Sequence, residues 1–386
     1  MNTSDTVYLD YAAATPVADY VLAAMMPYLS NNFYNPSSPY APAVQIRREY
    51  NAAKQQLGQS IGAKGDEIVI TAGATESINL AFHVTSGHVV TSAIEHPAVL
   101  ECATRRDHTV VAVSEKGRVS VEDIVAAIRP TTQFVSIALA NNELGTLQPI
   151  RKIAQALDQI RTARAQKKDD TPLYFHCDAS QGFGQVDVNV ARLGVDFLSL
   201  NSGKMYGPKQ VGLLWAKRNI TIKPLIVGGG QERGIRSGTE NVAGTIGFAA
   251  AATWLANHQA SEAIRLKALR DTLETNIHNA FEESVVLGDR KHRLPGHLSV
   301  AFPQIDAERL IFILEREGIY IATGSACAAS KHTASHVLTA IGLDENLLNG
   351  SIRLTLGKST DSAAIQRVST AIIDAVKREY NRQAAT

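Results

Sequence analysis

Residues 172–204 read PLYFHCDASQGFGQVDVNVARLGVDFLSLNSGK. Two apolar runs, at 172–177 and 195–200, each end in a polar turn, and a helical pattern separates them. A strand, a helix and a second strand in this order are typical of a parallel sheet covered by helices. The same pattern recurs between about residues 60 and 250, where it predicts further strands at 67–71, 88–92 and 132–139. The sequence therefore predicts an α/β fold with a mostly parallel central sheet and helices on both faces.

The pattern changes after about residue 255. A long helical stretch is followed by the strands HLSVAF and SIRLTLG with helices around them, which is typical of a smaller α+β unit. A chain of 386 residues also exceeds the usual size of a single core. We therefore expect a large domain at residues 15–255 and a small α+β domain formed by residues 1–14 and 256–386.

Composition argues against several classes of protein. Apolar residues make up 45% of the chain, enough for a large core. The formal net charge is +1 with dispersed basic residues, so neither nucleic acid nor an anionic membrane is an expected partner. The first ten residues, MNTSDTVYLD, lack the apolar run of a signal peptide, and the longest apolar stretch, at 247–256, is too short to cross a bilayer. Three cysteines, Cys102, Cys177 and Cys327, form no disulfide framework, which favours a reducing, cytoplasmic location.

Each predicted strand of the large domain runs into a polar or glycine-containing turn. These turns are AGATES, AIEHP, ANNELG, DASQG and NSGK. Ligands of open parallel sheets bind outside the carboxyl ends of the strands, where such turns meet. We therefore expect the turns to form one shared site.

Lys204 and Asp178 are the first candidates for chemistry at this site. Lys204 directly follows an apolar strand, and a lysine near a buried sheet edge can lose its proton and attack an aldehyde. Asp178 ends the preceding strand, and a carboxylate there would keep a pyridine nitrogen protonated, as in pyridoxal phosphate chemistry. The alternatives are a surface lysine and a helix N-cap for the turn after Asp178. The pairing of the two residues favours the cofactor.

Other turns hold weaker signals. Residues 73–75 could form a phosphate site from free backbone N–H groups at a helix start, or Thr75 could simply cap that helix. His96 precedes Pro97, a favoured first helical residue, and could lie on a ring and transfer protons, or be an ordinary polar residue. Asn142 could bond a phenolic oxygen or close a turn.

A set of motifs occurs in order between residues 8 and 357. They are YLDYAAATPV, NPSS, AGATES, EHPAVL, NNELG, DASQG, KMYGPK, GGGQERGIRSGTEN, GSAC and SIRLTLG. In this combination the chain resembles the cysteine desulfurases of the NifS/IscS type, in the class V aminotransferase superfamily with fold type I. The resemblance covers nearly the whole chain. It implies a large domain that binds pyridoxal 5′-phosphate, a homodimer, and the conversion of L-cysteine to L-alanine.

The resemblance also implies a role for each matching residue. Lys204 would carry the cofactor as a Schiff base, Asp178 would pair with its pyridine nitrogen, and His96 would stack on its ring. The residues implied to hold the phosphate are Ala74, Thr75, Asn201 and Ser202, with Thr239 from a second subunit.

Three further residues are assigned in the same way. Asn142 and Gln181 would bond the ring oxygen, and Asn142 would also border the substrate. Arg353 lies in the strand SIRLTLG, and its rigid fork suits bidentate capture of an amino acid carboxylate. The alternative is an arginine in a surface salt bridge, which the matching residues around it make the weaker interpretation.

Cys327 lies in ATGSACAAS, residues 322–330, among residues too small to form an apolar pocket for a thiol. This setting favours a thiol that reactants must reach, although small-residue loops are common. The resemblance implies that the Cys327 thiolate takes the substrate sulfur as a persulfide while alanine leaves, with His96 handling protons. It also implies delivery of the sulfur to an acceptor protein for iron–sulfur cluster assembly or tRNA thiolation. Cys102 and Cys177 are predicted to be core residues.

The chain departs from the family pattern around the cofactor. Gly203 replaces the usual histidine before the Schiff-base lysine, and Gln231 replaces a histidine in the glycine-rich stretch. Tyr40 and Ala43 stand where histidine and glycine are typical. We expect looser cofactor binding or compensation from Asn201.

Three other functions remain open from the sequence. One is a selenocysteine lyase, and another is a different class V transaminase or lyase that forms a keto acid without a persulfide. The third is a cofactor-poor scaffold for sulfur-transfer partners, which only Gly203 favours. No metal ligand set is predicted.

Overall fold

The computed structural model describes residues 6–323 and 335–384. The strands of its largest sheet are β2 (Ile68–Thr71), β3 (His88–Ser92), β4 (His108–Val111), β5 (Thr132–Ser136), β6 (Tyr174–Asp178), β7 (Phe197–Asn201) and β8 (Gly212–Ala216). They lie in the order β2–β8–β7–β6–β5–β3–β4. The pairs from β4 to β7 are parallel, and β8 is antiparallel to both neighbours. The predicted mostly parallel sheet is confirmed.

Both faces of this sheet are buried. Neighbouring residues of one strand belong to different apolar clusters: Val90 packs in one cluster and Val89 in the other, and Leu198 and Phe197 divide in the same way. Because side chains alternate across a strand, the two clusters lie on opposite faces. This explains why the strands read as continuous apolar runs, as is typical of parallel sheets covered by helices.

The remaining strands form two small sheets. They are β1 (Val7–Tyr8), β9 (Val285–Val286), β10 (His297–Ala301), β11 (Ile319–Tyr320), β12 (Ala322–Thr323) and β13 (Ser351–Thr355). An antiparallel sheet has the order β12–β13–β10–β9, and β1 pairs in parallel with β11. A third apolar cluster packs around these strands and includes Leu9 from the N-terminal segment.

The helices cover the sheets and connect them. They are α1 (Asp19–Leu29), α2 (Ala41–Ser60), α3 (Ala74–Phe82), α4 (Pro97–Thr104), α5 (Val121–Ala126), α6 (Ile150–Gln166), α7 (Val190–Leu193), α8 (Val242–Ala280), α9 (Ala307–Arg316), α10 (His336–Ala340), α11 (Glu345–Leu348) and α12 (Ser362–Ala384). Helix α8 runs through residue 255, where the sequence predicts the domain boundary. Its residues up to Leu255 pack with the large sheet and those from Leu266 pack with the small one. The division into domains stays a prediction, because one continuous helix crosses it.

Among the described residues, no helix is long and apolar enough to span a membrane. Cys102 lies in α4 and Cys177 in β6, and both are buried free thiols. Burial raises the pKa of each thiol above its ordinary value. Both residues are therefore packed and poorly reactive, as predicted for core cysteines.

Candidate active site

The carboxyl ends of the large sheet border an open cavity of about 450 Å³. Its lining comes from the start of α3, from the turn after β7 and from the N-terminal segment. The lining residues that matter below are Gly73, Ala74, Thr75, Asn201, Lys204 and Lys209. Polar turns that are far apart in sequence thus share one cavity, as the parallel sheet requires.

Lys204 closes a short 3-10 turn, Ser202–Lys204, directly after β7. Its Nζ donates hydrogen bonds to the carbonyl oxygens of Ala12 and Ala13, at 2.6 and 2.5 Å. The N-terminal segment is itself tied to this turn, because both N and Oγ of Thr15 donate to the carbonyl of Gly203. The ammonium of Lys204 is therefore held at the cavity wall by backbone carbonyls of a distant segment.

The charges of Asp178 and Lys204 both act on the His96 ring. Protein atoms around the His96 ring lower its pKa, the Asp178 carboxylate opposes this, and the charges of Lys204 and His336 add to the lowering. The ring keeps exposed surface toward solvent. Asp178 accepts a hydrogen bond from Ser180 N through Oδ1, so it also closes the local turn that was the alternative interpretation.

His96 is the N-cap of α4, and its Nδ1 accepts the backbone N–H of Ala98 at 3.1 Å. A backbone N–H can only donate, so Nδ1 must carry a lone pair and the proton of the neutral ring is on Nε2. Protonation of Nδ1 would break this cap. The geometry therefore makes Nε2 the atom through which His96 donates a hydrogen bond or a proton.

The start of α3 is built to accept an anion. Gly73 is its N-cap with φ of 143°, and no side chain caps the helix, so Thr75 does not play the capping role considered as an alternative. A Cβ placed on Gly73 would meet no atom within 4 Å, so the backbone faces open space. Uncapped N–H groups at a helix N-terminus favour a phosphate.

Of the neighbouring residues Asn201 and Ser202 at the end of β7, only Asn201 lines the cavity. Asn201 lines the cavity and accepts Gly203 N through Oδ1 at 3.2 Å. Ser202 Oγ is buried without a hydrogen-bond partner among the described residues and lies toward Gly207. At Gly203 an added Cβ would have only ordinary contacts, at 3.6 Å from Lys209 Cγ and Asn201 Oδ1. The gap left by the missing side chain is thus bordered by a lysine.

Arg353 lies in β13 and is 3% exposed. Its Nη2 donates to Asp10 Oδ1 at 2.6 Å and its Nη1 donates to the Asn142 carbonyl at 3.1 Å. Arg353 is therefore a buried arginine next to Asn142, not an exposed edge residue. The sequence interpretation missed Asp10, which is 343 positions away in the chain.

The other predicted site residues occupy separate positions. Gln181 donates to the Ala12 carbonyl at 3.0 Å and lines, with Lys204, a smaller cavity of about 40 Å³. Thr239 is exposed and does not line the main cavity. Among the described residues, no group of three His, Cys, Asp or Glu side chains could hold a metal ion.

Cys327 lies outside the described residues, but both flanks of its segment are anchored near the site. Ala322 of β12 pairs with Arg353, and Ser335 Oγ donates to the buried carboxylate of Glu143. His336 Nε2 bonds the carbonyl of Glu95 at 3.0 Å. Cys327 lies four positions after Thr323, so their Cα atoms are at most about 14 Å apart in extended chain.

Glu95 is a further residue that the sequence interpretation missed. It is 1% exposed and accepts hydrogen bonds from Ser92 Oγ at 2.7 Å and from Ala138 N at 3.0 Å. Burial raises the pKa of Glu95 to about 8. The two hydrogen bonds lower this pKa, and the negative charge of Asp178 raises it. The only sequence signal was its place beside His96 in AIEHP.

This pKa predicts a pH dependence of stability. Because the folded-state pKa lies above the ordinary value of 4.5, the contribution of Glu95 is fully present below that value and is lost as the pH rises through about 8. The free energy of unfolding should fall by up to about 1.4 kcal/mol per pH unit over this range from Glu95 alone. Denaturant unfolding at several pH values checks this, with Glu95→Gln as the comparison. Equal pH slopes for the two proteins would contradict the assignment.

The cleft fits pyridoxal phosphate in three respects. The uncapped N-terminus of α3 with its open Gly73 suits the phosphate, Lys204 suits the aldehyde, and Asp178 suits the pyridine nitrogen. The start of α3 and Lys204 line one cavity, and the charges of Lys204 and Asp178 both act on the His96 ring.

Comparisons with known proteins identify the family of the chain. The aminotransferase class-V family matches residues 7–368. The cysteine desulfurase IscS of Dictyoglomus turgidum is 40% identical, over 92% of this chain and 90% of that protein. The solved structure of a NifS-like protein has a TM-score of 0.88 at 31% identity and covers 96% of this chain and 99% of its own. A structure titled SspA in complex with cysteine has a TM-score of 0.77 at 33% identity, over 91% of this chain and 99% of its own.

The chain belongs to the aminotransferase class-V family and, within it, to the cysteine desulfurases of the NifS/IscS type. Enzymes of this family depend on pyridoxal phosphate. The predicted family, fold and enzyme class are therefore confirmed. The roles of individual residues stay predictions.

Proposed function

We propose that desulfuration of L-cysteine to L-alanine takes place in the cleft between Lys204 and Arg353. The observation that carries this proposal is that Lys204 lines the main cavity, that the charges of Lys204 and Asp178 both act on the His96 ring, and that residues 10–13 contact both Lys204 and the buried Arg353. Lys204 would hold the cofactor aldehyde, Asp178 the pyridine nitrogen, and the start of α3 with Asn201 the phosphate. When bound, pyridoxal phosphate supplies an electron sink that lets a proton leave Cα of the amino acid.

The chain's own groups would then orient the substrate and move its protons. Arg353 would bind the carboxylate, with the Asn142 carbonyl fixing one arm of its fork. Lys204 Nζ lies at the wall of the main cavity and would be the base that removes the Cα proton. His96 would donate from Nε2, because its Nδ1 is engaged with Ala98 N.

Cys327 would accept the sulfur. Support comes from the anchors on both sides of its segment, at Ala322 opposite Arg353 and at Ser335 on Glu143, which limit how far the thiol can be from the cleft. A thiolate must attack the substrate sulfur and retain it as a persulfide while the carbon skeleton leaves as alanine. The persulfide sulfur would then pass to an acceptor protein that serves iron–sulfur cluster assembly or tRNA thiolation.

A homodimer is part of this proposal. Helix α1 and the residues after it expose an apolar stripe, formed by Leu22, Met26, Leu29 and Phe33. Val227 is 78% exposed and continues a short apolar run, 225–227. Exposed apolar surface of this extent favours an interface, and a second copy would also explain how the exposed Thr239 can serve a phosphate outside its own cavity. The buried free thiols of Cys102 and Cys177 agree with a cytoplasmic location.

Product analysis tests the reaction directly. Incubation of the purified protein and pyridoxal phosphate with L-cysteine and a thiol reductant should yield alanine and sulfide in equal amounts. L-Alanine should not be converted to a keto acid under the same conditions. Formation of a keto acid without sulfide would show that the chain is a different class V transaminase or lyase.

A further inference from the structure

The buried guanidinium of Arg353 is only partly satisfied by the protein. Asp10 and the Asn142 carbonyl each accept one of its N–H groups, through Nη2 and Nη1. The Nε group is buried and has no hydrogen-bond partner among the described residues. A guanidinium has five N–H donors, so Arg353 keeps donors available for a further acceptor while it is bound to Asp10.

Asp10 is placed to be the counter-ion of this arginine. Its residue forms an isolated bridge with Thr355 of β13, and Ala13 N donates to its carbonyl at 3.0 Å, so the backbone of Asp10 is fixed against the strand that carries Arg353. The Asp10 side chain is 17% exposed, against 3% for that of Arg353. The carboxylate is therefore the more exposed member of this ion pair.

The same segment also holds Lys204. Two and three residues after Asp10, the carbonyls of Ala12 and Ala13 accept the hydrogen bonds of the Lys204 ammonium. Residues 10–13 thus contact both cations that the proposed reaction uses. Of these contacts, the Asp10–Arg353 pair is the one that a substrate carboxylate must share.

We propose that Asp10 is a positioning residue that holds the Arg353 fork toward the cleft and, by its negative charge, weakens the binding of the substrate carboxylate. The inference rests on the proposed function, in which Arg353 binds that carboxylate. A second carboxylate on the same guanidinium is repelled by the first, and in a partly buried site this repulsion is only weakly screened. Asp10 therefore sets how tightly the amino acid is bound.

The neighbouring carboxyl of Glu143 does not replace Asp10 as counter-ion. Burial raises the pKa of Glu143 to about 7, while the bond from Ser335 and the charge of Arg353 act in the opposite direction. Near neutral pH a large fraction of Glu143 is therefore uncharged. His297, another titratable group near Arg353, is buried with its pKa lowered to about 3, so it is neutral as well, and so is Tyr8, whose pKa is raised to about 12.

Binding of L-alanine, the product, tests the inference without turnover. The visible spectrum of the holoenzyme is titrated with L-alanine and with L-alaninamide, which carries no carboxylate, and the ratio of the two dissociation constants is measured. Asp10→Asn keeps an oxygen acceptor for Nη2 and removes the charge. We expect the preference for L-alanine over its amide to rise about tenfold, because one negative charge that repels the ligand carboxylate is removed from the same guanidinium. The KM for L-cysteine should fall with it, with little change in kcat.

A purely structural Asp10 gives a different result. In that case Asp10→Asn would weaken both ligands, or L-alanine alone, and the ratio would stay at or fall below the wild-type value, which overturns the proposal. Asp10→Ser is the second neutral variant if the first does not fold, and the ratio should rise in it too, because any loss of orientation at other contacts affects both ligands. A wild-type protein that releases no alanine from L-cysteine would refute the proposed function instead, so the two failures are distinguishable.

Discussion

Replacing Lys204 by alanine is expected to abolish desulfuration and to remove the visible absorption band of the lysine-bound cofactor. The loss of rate should be on the order of a thousandfold or more, since one side chain supplies both covalent attachment and the base for the Cα proton. The geometric reason is that Lys204 Nζ lies at the wall of the main cavity, where backbone carbonyls of Ala12 and Ala13 hold it.

Lys209 provides the matched control. Like Lys204, it lies in the connection between β7 and β8 and lines the main cavity, and its Nζ also donates to a carbonyl of the N-terminal segment, that of Thr15, at 2.6 Å. Lys209→Ala should keep the visible band, although it can weaken cofactor binding because this lysine borders the space at Gly203. An unchanged band in Lys204→Ala, or loss of the band only in Lys209→Ala, would show that Lys204 does not carry the cofactor.

The parallel sheet could be predicted because its information is local. Strand β3 has the predicted limits, His88–Ser92, since a short apolar run bounded by polar residues leaves few alternatives. The strand expected at 132–139 forms regular strand pairs only as far as Ser136. Ile137 N and Leu139 N still bond the carbonyls of His176 and Asp178, so the chain stays extended beyond the last regular pair.

The turns after the strands were predictable for the same reason, and they account for Lys204, Asp178 and His96. The groups that the sequence interpretation missed depend on contacts between distant segments. Asp10 meets Arg353 where the N-terminal segment bridges to β13, and the Glu95 carboxylate accepts the N–H of Ala138, which follows β5 and is 43 positions away. No periodicity in the sequence encodes such a contact, since each depends on the strand order.

Gly203 illustrates the limit of a residue-by-residue comparison. Its missing side chain predicted either looser cofactor binding or compensation from Asn201. In the structure, Asn201 Oδ1 is engaged with Gly203 N, and Lys209 borders the space that a side chain at 203 would occupy. A cation from the next turn is therefore better placed than the asparagine to act on a phosphate there. Looser cofactor binding and compensation from Asn201 both stay predictions.

Replacing Cys327 by alanine should leave the visible band of the cofactor intact and lower sulfide release from L-cysteine on the order of a hundredfold or more, because the acceptor of the substrate sulfur is removed. The cavity residues are untouched by this change, and Cys327 lies in a segment that enters beside Arg353 and leaves at Ser335. Sulfur transfer and cofactor binding should therefore separate in this variant, whereas they fail together in Lys204→Ala.

The matched control is Cys102→Ala, since Cys102 is buried in α4 and burial raises the pKa of its thiol, so that the reactive thiolate is scarce. Mass spectrometry after incubation with L-cysteine should find one added sulfur atom on the peptide that contains Cys327, in the wild type and in Cys102→Ala alike. D-Cysteine, whose Cα has the opposite configuration, should leave that peptide unmodified. A persulfide on Cys102 or Cys177 instead would contradict the role of Cys327. Full activity of Cys327→Ala in the presence of a thiol reductant would mean that sulfur leaves the substrate without a protein acceptor at position 327, as expected of a lyase.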